Sequence, residues 1–293
     1  MIPRLLTLLA AFAPGGVPLQ VEIVGTAEPF APGIASAAHS EIRLTLSPDG
    51  KSALWFSRER PGGSGGYDIW ISRRTEGGWQ PPSPVSFNSP GRDFDPAFSA
   101  DGRVVYFCSD RAGGSGGDDI YRVPVTAGAF GLAVNLGPAV NSPGDEFAPM
   151  PAPDGRTLLF SSDRGGGAGG HDLFTARRSR SGFAAAGRLP GAVNSAANEF
   201  DATFLRDGTT IIFARATDFR KDRVELFHAA PGRHGYDAGT RLPAAVNNDQ
   251  DSYGAMLDWS DRNWLTFSAQ RGKDGDMDLY RIRYRIAAKA SGR

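Results

Sequence analysis

Two short motifs recur along the chain at a common spacing of 53 residues. An asparagine within a phrase resembling Ala-Val-Asn-Ser returns at this interval, at Asn88, Asn141, Asn194 and Asn247. A triplet of an acidic, an aliphatic and an aromatic residue returns at intervals of 51, 53, 53 and 53 residues, beginning at Asp68, Asp119, Asp172, Glu225 and Asp278. A fixed period of this length is the mark of a repeat architecture, so the 293 residues are predicted to form five copies of one structural unit.

Each unit alternates apolar segments of strand length with turn signals. In the second copy, Asp101-Gly102 separates segments at 94–99 and 104–109, and a glycine-rich loop precedes a third segment at 120–125. A fourth segment lies at 132–136. Four antiparallel strands in a unit of this length are typical of a propeller blade. The sequence therefore predicts an all-β fold, a five-bladed β-propeller whose blades begin near residues 41, 93, 146, 199 and 251.

The last copy lacks a fourth strand of its own. The segment Leu19–Val24 resembles the fourth segment of the second copy, and it is predicted to complete the last blade. A ring closed in this way hides the sheet edges that would otherwise pair with other chains. A ring left open, or completed by a partner, is the alternative. On this basis residues 17–286 are predicted to form the propeller and 287–293 a tail.

Charge and apolar patterning exclude several classes of protein. Lys and Arg total 32, as do Asp and Glu, which argues against broad electrostatic binding of nucleic acid. Residues 1–16 combine a positively charged start with a short apolar run, which predicts a signal peptide or a disordered N-terminus. A signal peptide would direct the protein to the periplasm or the medium. No other apolar run is long enough to cross a bilayer, so no integral membrane span is expected.

The segments 107–121 and 160–174 carry the phrase Ser-Asp-Arg, two glycine pairs and an acidic-aliphatic-aromatic triplet. This phrase resembles the PD40 repeat, a WD40-like repeat of TolB-type periplasmic proteins and of OmpA-family envelope proteins. The resemblance extends over residues 41–286. It implies a non-catalytic propeller in the cell envelope that acts as a scaffold for a protein or peptide partner. TolB-type proteins usually have six blades and an additional α/β domain, from which this sequence departs.

A carboxylate opens each predicted first strand, and the residue two positions later varies. Because first strands line the channel of a propeller and alternate residues share a face, these positions predict an acidic ring at the channel mouth. Such a ring could hold a cation such as calcium or bind a basic peptide, whereas the plainer interpretation is that its carboxylates cap turns. The candidate ring comprises Glu41, Asp93, Asp95, Glu146, Glu199, Asp201 and Asp251.

The same carboxylates provide the alternative function. Five-bladed propellers also serve as glycoside hydrolases or glycan-binding proteins, in which paired carboxylates act as acid and base. Asp95 and Asp201, with Glu146 or Glu199, would be the catalytic candidates. The four histidines show no metal-ligand spacing, and no glycine-rich loop continues into Lys-Ser or Lys-Thr. No cofactor or metal is therefore predicted, apart from the channel cation.

The fourth copy replaces its glycine-rich loop with a basic segment that contains an aromatic residue. Arginine and aromatic residues are enriched in protein contact surfaces, so this loop is the predicted partner-contact loop. A solvated charged loop is the alternative. The candidate contact residues are Phe219, Arg220, Lys221 and Arg223.

Overall fold

The computed structural model describes residues 19–180, 182–271 and 275–288. The described residues form strands and loops without helices, and five small antiparallel sheets are arranged as a five-bladed β-propeller. The predicted fold class is thereby confirmed. No helix in this part of the chain has the length and apolar character needed to cross a membrane. The predicted signal peptide, residues 1–16, lies outside the described residues.

Each blade is built on three long strands, numbered here with all others in chain order. The first strands are β2 (Glu41–Leu46), β7 (Asp93–Phe98), β12 (Glu146–Pro151), β17 (Asn198–Phe204) and β23 (Ser252–Leu257). The second strands are β3 (Ser52–Arg58), β8 (Val104–Ser109), β13 (Thr157–Ser162), β18 (Ile211–Ala216) and β24 (Trp264–Gln270). The third strands are β4 (Tyr67–Thr75), β9 (Asp119–Thr126), β14 (Asp172–Ser179), β19 (Glu225–Ala229) and β25 (Met277–Ala288).

The outer strands of blades one to four are fragmentary. The continuous strand predicted at 132–136 is only a two-residue segment, and Leu132 itself is exposed. Proline and glycine in these outer segments limit the ladder, because proline cannot donate a hydrogen bond and is confined to sheet edges. The segments are β5 (Gly78–Trp79), β6 (Ser83–Pro84), β10 (Ala129–Phe130), β11 (Val134–Asn135), β15 (Gly182–Phe183), β16 (Gly187–Arg188), β20 (Pro231–Gly232), β21 (Gly235–Tyr236) and β22 (Thr240–Arg241).

The N-terminal strand β1 (Leu19–Pro29) closes the ring, as predicted. It pairs antiparallel with β25 from Leu19 opposite Ala288 to Pro29 opposite Tyr280. Blade five therefore has a long outer strand, interrupted by one register shift between Val24 and Glu28, unlike the fragmentary outer strands of the other four. The edge of β25 is covered by a segment from the opposite end of the chain.

The repeated asparagines brace the third strands of blades one to four, and the triplet aspartates of blades one to three fix the glycine-rich loops before them. Asn141 is buried; its Oδ1 accepts the Ile120 N–H at 2.9 Å and its Nδ2 donates to the Ile120 carbonyl at 3.0 Å. The amide thus pairs with the third strand where an outer strand would lie. Asp68 accepts the Ser64 N–H at 2.9 Å and so fixes the glycine-rich loop of blade one. These contacts explain why the asparagine recurs in blades one to four and the aspartate in blades one to three.

Candidate functional site

Each first strand is interrupted by a β-bulge two residues after its opening position. All five bulges show a register shift, and all five bulge residues have positive φ. The angles are 59° at Arg43, 52° at Asp95, 55° at Ala148, 49° at Asp201 and 65° at Gly254. Alanine and arginine seldom adopt this conformation, so the fold imposes it. Sequence analysis missed the bulges; Gly254 and the two aspartates were the only local signals.

Two bulge carboxylates tie neighbouring blades together. The Oδ2 atom of Asp95 in blade two accepts the N–H of Ala148 in blade three at 3.1 Å. In the same way, Oδ2 of Asp201 in blade four accepts the N–H of Gly254 in blade five at 3.1 Å. Both aspartates are buried, with 4% and 5% of their surface exposed. They therefore serve as inter-blade contacts on the inner strands.

Arg43 joins blade one to the far side of the ring. Its Nη1 lies 3.3 Å from Oδ1 of Asp201 in blade four, and its Nη2 donates to the carbonyl of Pro149 in blade three at 3.2 Å. In a five-membered ring, blades three and four lie opposite blade one. The fully buried guanidinium thus crosses the centre of the propeller and occupies the space between the inner strands.

The electrostatics of this axial site follow from its burial. Burial raises the pKa of Asp95 to about 8; the neighbouring Asp201 adds to this shift and Arg43 opposes it. Burial also raises the pKa of Asp201, against the effect of the Arg43 guanidinium and of the Gly254 N–H. The site therefore combines one guanidinium with two carboxyl groups whose protonated forms are favoured by burial.

The predicted ring carboxylates Glu41, Asp93, Glu146 and Glu199 are fully buried, and each pairs with an arginine. This differs from the open acidic ring expected at the channel mouth, because an arginine from or just beyond the second strand of the same blade reaches each carboxylate. The pairs are Glu41–Arg60 at 3.2 Å, Asp93–Arg111 at 2.5 Å, Glu146–Arg164 at 3.0 Å and Glu199–Arg215 at 2.7 Å.

The arginines of these pairs also pack against aromatic rings of their own blades. The guanidinium carbon of Arg111 lies 4.9 Å from the ring centre of Phe107 and 5.1 Å from that of Tyr121. Arg111 also donates to the carbonyl of Phe87 at 2.9 Å. An arginine held by a carboxylate, a carbonyl and two rings is a structural brace.

Blade five departs from this pattern. Its first strand begins at Ser252, and Ser252 takes the place of the ring carboxylate, so the register predicted for Asp251 was wrong by one residue. Asp251 instead accepts the Val224 N–H of blade four at 2.9 Å. Arg271, the blade-five arginine, packs on Phe267 with no ion pair among the described residues, and its buried Nε has no hydrogen-bond partner there.

The predicted contact loop lies between β18 and β19. Phe219 is 44% exposed, and its ring centre lies 5.8 Å from that of His171 in blade three and 5.9 Å from that of Phe200. Lys221 pairs with Asp218 at 2.7 Å. The remaining basic residues differ in their contacts: Arg223 pairs with Glu225, whereas Arg220 forms no ion pair within the described ranges and lies over the Phe219 ring.

The fold and site define a five-bladed propeller whose centre is closed by its own charged side chains. No protein-family model matches the sequence, and no curated protein matches it. Solved structures share the fold. A protein assigned as TolB from Agrobacterium tumefaciens is 13% identical with a TM-score of 0.54, covering 92% of this chain and 99% of that one.

An α-L-arabinofuranosidase from Lactobacillus brevis is 8% identical with a TM-score of 0.57, covering 87% of this chain and 92% of that one. TolB from Acinetobacter baumannii is 16% identical with a TM-score of 0.48; the match covers 87% of this chain but only 54% of the TolB chain. At these identities the similarity shows the fold alone. The propeller is shared with TolB and with glycosidases, and the likeness does not favour either activity.

Proposed function

We propose that this chain is a non-catalytic propeller of the bacterial cell envelope, built from PD40-type repeats, that binds a segment of a partner protein. The position of Arg43 carries the proposal. A glycosidase needs two carboxyl groups facing a space that admits a sugar and water, typically about 5–10 Å apart. Here Arg43 occupies the centre of the ring and pairs with Asp201, while Glu146 and Glu199 are fully buried in ion pairs of their own.

The contact loop provides the binding chemistry. It presents the half-exposed ring of Phe219 beside Arg220 and Lys221, which are both exposed. An aromatic anchor flanked by positive charge suits a peptide segment with an apolar residue next to acidic ones. Its position supports this role, because the loop stands where blades one to three have a glycine-rich loop.

The proposal is tested by cross-linking in envelope extracts, using a photoreactive group at position 219. The double variant R220E/K221E should lose the cross-linked partner, because it reverses the charge beside the anchor. The matched control is K51E/R103E, which makes the same charge change in two exposed turns at the other ends of blades one and two. Equal capture by both double variants, or no specific product with either, would contradict the proposal.

Glycoside hydrolysis is the alternative, and a direct assay separates it from binding. We expect no sugar release when the purified chain is incubated with arabinan, arabinoxylan and common β-glucans. Release that disappears in D201N would establish catalysis at the ring centre and overturn the proposal. The conservative D201N change retains an oxygen that can accept the Gly254 N–H, so its loss of activity could not be attributed to that contact.

The envelope location rests on residues 1–16 and on the resemblance to TolB-type repeats. Fractionation of cells expressing the full chain should place it in the periplasm or the medium. A chain lacking residues 1–16 should stay in the cytoplasm. Retention of the full chain in the cytoplasm would contradict the envelope proposal without affecting the binding proposal.

A further inference from the structure

Three metal-ligating side chains converge at one end of blade three, where its strands begin or finish. Asp145, Asp163 and His171 each offer a ligand atom, and all three atoms lie within 4.8 Å of one another. Asp145 directly precedes β12, Asp163 directly follows β13, and His171 directly precedes β14. In an antiparallel sheet, the start of one strand, the end of the next and the start of the third lie side by side at the same end of the sheet. The strand order of the blade therefore brings the three residues together.

Blade two places a different set of residues at this end of the blade. The equivalent residues are Arg92, Asp110 and Asp118. The Arg92 guanidinium lies between the two carboxylates, with Nε 3.0 Å from Asp110 Oδ2 and Nη2 2.9 Å from Asp118 Oδ1. The chain itself thus supplies a cation for these acidic groups in blade two.

Blade three has no arginine at the position equivalent to Arg92. Asp145 stands at the position of the arginine and His171 at that of the second aspartate, while Asp163 keeps the position of Asp110. Among the described residues, neither Asp145 nor Asp163 forms an ion pair with lysine or arginine. Two carboxylates and an imidazole therefore face one another where blade two holds a guanidinium.

Hydrogen bonds orient each of the three side chains. Oδ1 of Asp145 accepts the Asp118 N–H at 2.9 Å, and Oδ1 of Asp163 accepts the Asp145 N–H at 2.7 Å. The Nδ1 atom of His171 lies 3.2 Å from Oδ1 of Asn198 in blade four. An imidazole that donates from Nδ1 keeps its lone pair on Nε2, the form in which histidine binds metals. The second oxygen of each carboxylate has no hydrogen bond within the described part of the chain.

We propose that Asp145, Asp163 and His171 bind one divalent first-row transition-metal ion, for which Zn²⁺ is the probe. Two carboxylate oxygens and an imidazole nitrogen match the ligands of zinc, with water in the remaining position, whereas calcium and magnesium favour oxygen alone. Bonds of about 2.0–2.1 Å place tetrahedral ligand atoms about 3.4 Å apart. The three ligand atoms, which lie within 4.8 Å of one another, would have to approach this separation when the ion binds.

The test is isothermal titration of the untagged, EDTA-stripped protein with ZnCl₂, alongside CaCl₂ and MgCl₂. We expect one zinc site per chain, with much weaker responses to calcium and magnesium. D163N and H171A should each weaken zinc binding about 10-fold or more, because each removes a charge or a ligand. D163N keeps an oxygen for the Asp145 N–H, and circular dichroism verifies that both variants are folded.

The matched control is D110N, which makes the same change at the equivalent position of blade two. It should leave zinc binding unchanged, because its neighbourhood already contains the Arg92 guanidinium. The proposal is overturned if the stripped protein binds no zinc, if D163N and H171A bind it as tightly as the unaltered chain, or if D110N weakens it equally. A stronger response to calcium than to zinc would overturn the assigned class of metal.

Discussion

Arg43 and Asp201 lie 158 residues apart in the sequence, and their side chains meet at 3.3 Å across the centre of the propeller. Both are buried, and Asp201 also accepts a backbone N–H from blade five. The pair thus couples blade one to blade four on the opposite side of the ring and, through Asp201, to the neighbouring blade five. It also fills the centre of the ring with buried side chains of the chain itself.

Replacement of Arg43 by methionine should strongly destabilise the protein. Methionine approximates the volume of the side chain but leaves the Asp201 carboxylate buried without its counter-charge, a change that typically costs about 3–5 kcal/mol. The double variant R43M/D201N should lose less than the sum of the two single changes, as judged by urea unfolding. Additive losses, or a stable R43M protein, would show that the pair contributes little.

The free energy of unfolding should decrease as the pH rises, because Asp95 loses its proton in the folded protein. Its pKa is about 8 in the folded chain, against about 3.9 when unfolded, so the folded state binds the extra proton between these values. Unfolding free energy is then lost as pH rises from about 4 to about 8. D95N lacks this titration, and its melting temperature relative to wild type should increase steadily from pH 5 to pH 8.

D101N is the control for this pH profile. Asp101 is an exposed turn residue whose pKa is lowered by the Ser99 hydroxyl, so it is ionised in both states above pH 5. Its difference in melting temperature from wild type should therefore be constant from pH 5 to pH 9. Burial raises the pKa of Glu41 to about 8 as well. Because Glu41 is present in wild type, D95N and D101N alike, its titration cancels from the differences in melting temperature. A difference in melting temperature between D95N and wild type that stays constant from pH 5 to pH 8 would contradict the raised pKa of Asp95.

The asparagine ladder should contribute measurably to each blade. N141A removes the acceptor for the buried Ile120 N–H, and an unsatisfied buried donor costs about 1–3 kcal/mol. Chemical denaturation of N141A should show a loss in this range. L132N, which alters a side chain that is 86% exposed, should change stability by less than about 0.5 kcal/mol.

Removal of β1 should convert the closed ring into a self-associating one. A chain beginning at Phe30 leaves β25 with unpaired backbone groups along the outer edge of blade five, and such edges pair with other chains. Light scattering should detect dimers or larger species whose proportion rises with concentration. A chain lacking only residues 1–17 retains all of β1 and should behave like the full protein; identical behaviour of the two truncations would refute the expectation.

The incomplete arginine brace of blade five can be repaired. Ser109 and Ser162 each lie 2.9 Å from the Nε of their blade arginine, whereas Ala269 occupies that position in blade five and leaves the Arg271 Nε without a partner. A269S should therefore raise unfolding stability by about 0.5–1.5 kcal/mol. A97S places the same hydroxyl at another fully buried alanine and should be neutral or destabilising.

The number of blades, the order of their strands and the closing role of β1 were predictable from the sequence. These features depend on local periodicity: alternation within strands, turn residues between them, and a 53-residue recurrence that marks each copy of Asn141 and Asp119. Where local signals were weak, prediction failed. The fragmentary outer strands and the one-residue shift at Asp251 depend on pairing with neighbours that the sequence does not reveal.

The site itself was decided by the tertiary structure. Asp95 and Asp201 were predicted from the sequence to face the channel, but Arg43 was not singled out among the varying residues, because nothing local connects residues 158 positions apart. Likewise, only the antiparallel arrangement of blade three brings Asp145, Asp163 and His171 together at one end of the blade. Repetition in sequence determines the scaffold through short-range preferences, whereas ring closure determines which of the non-repeating residues meet.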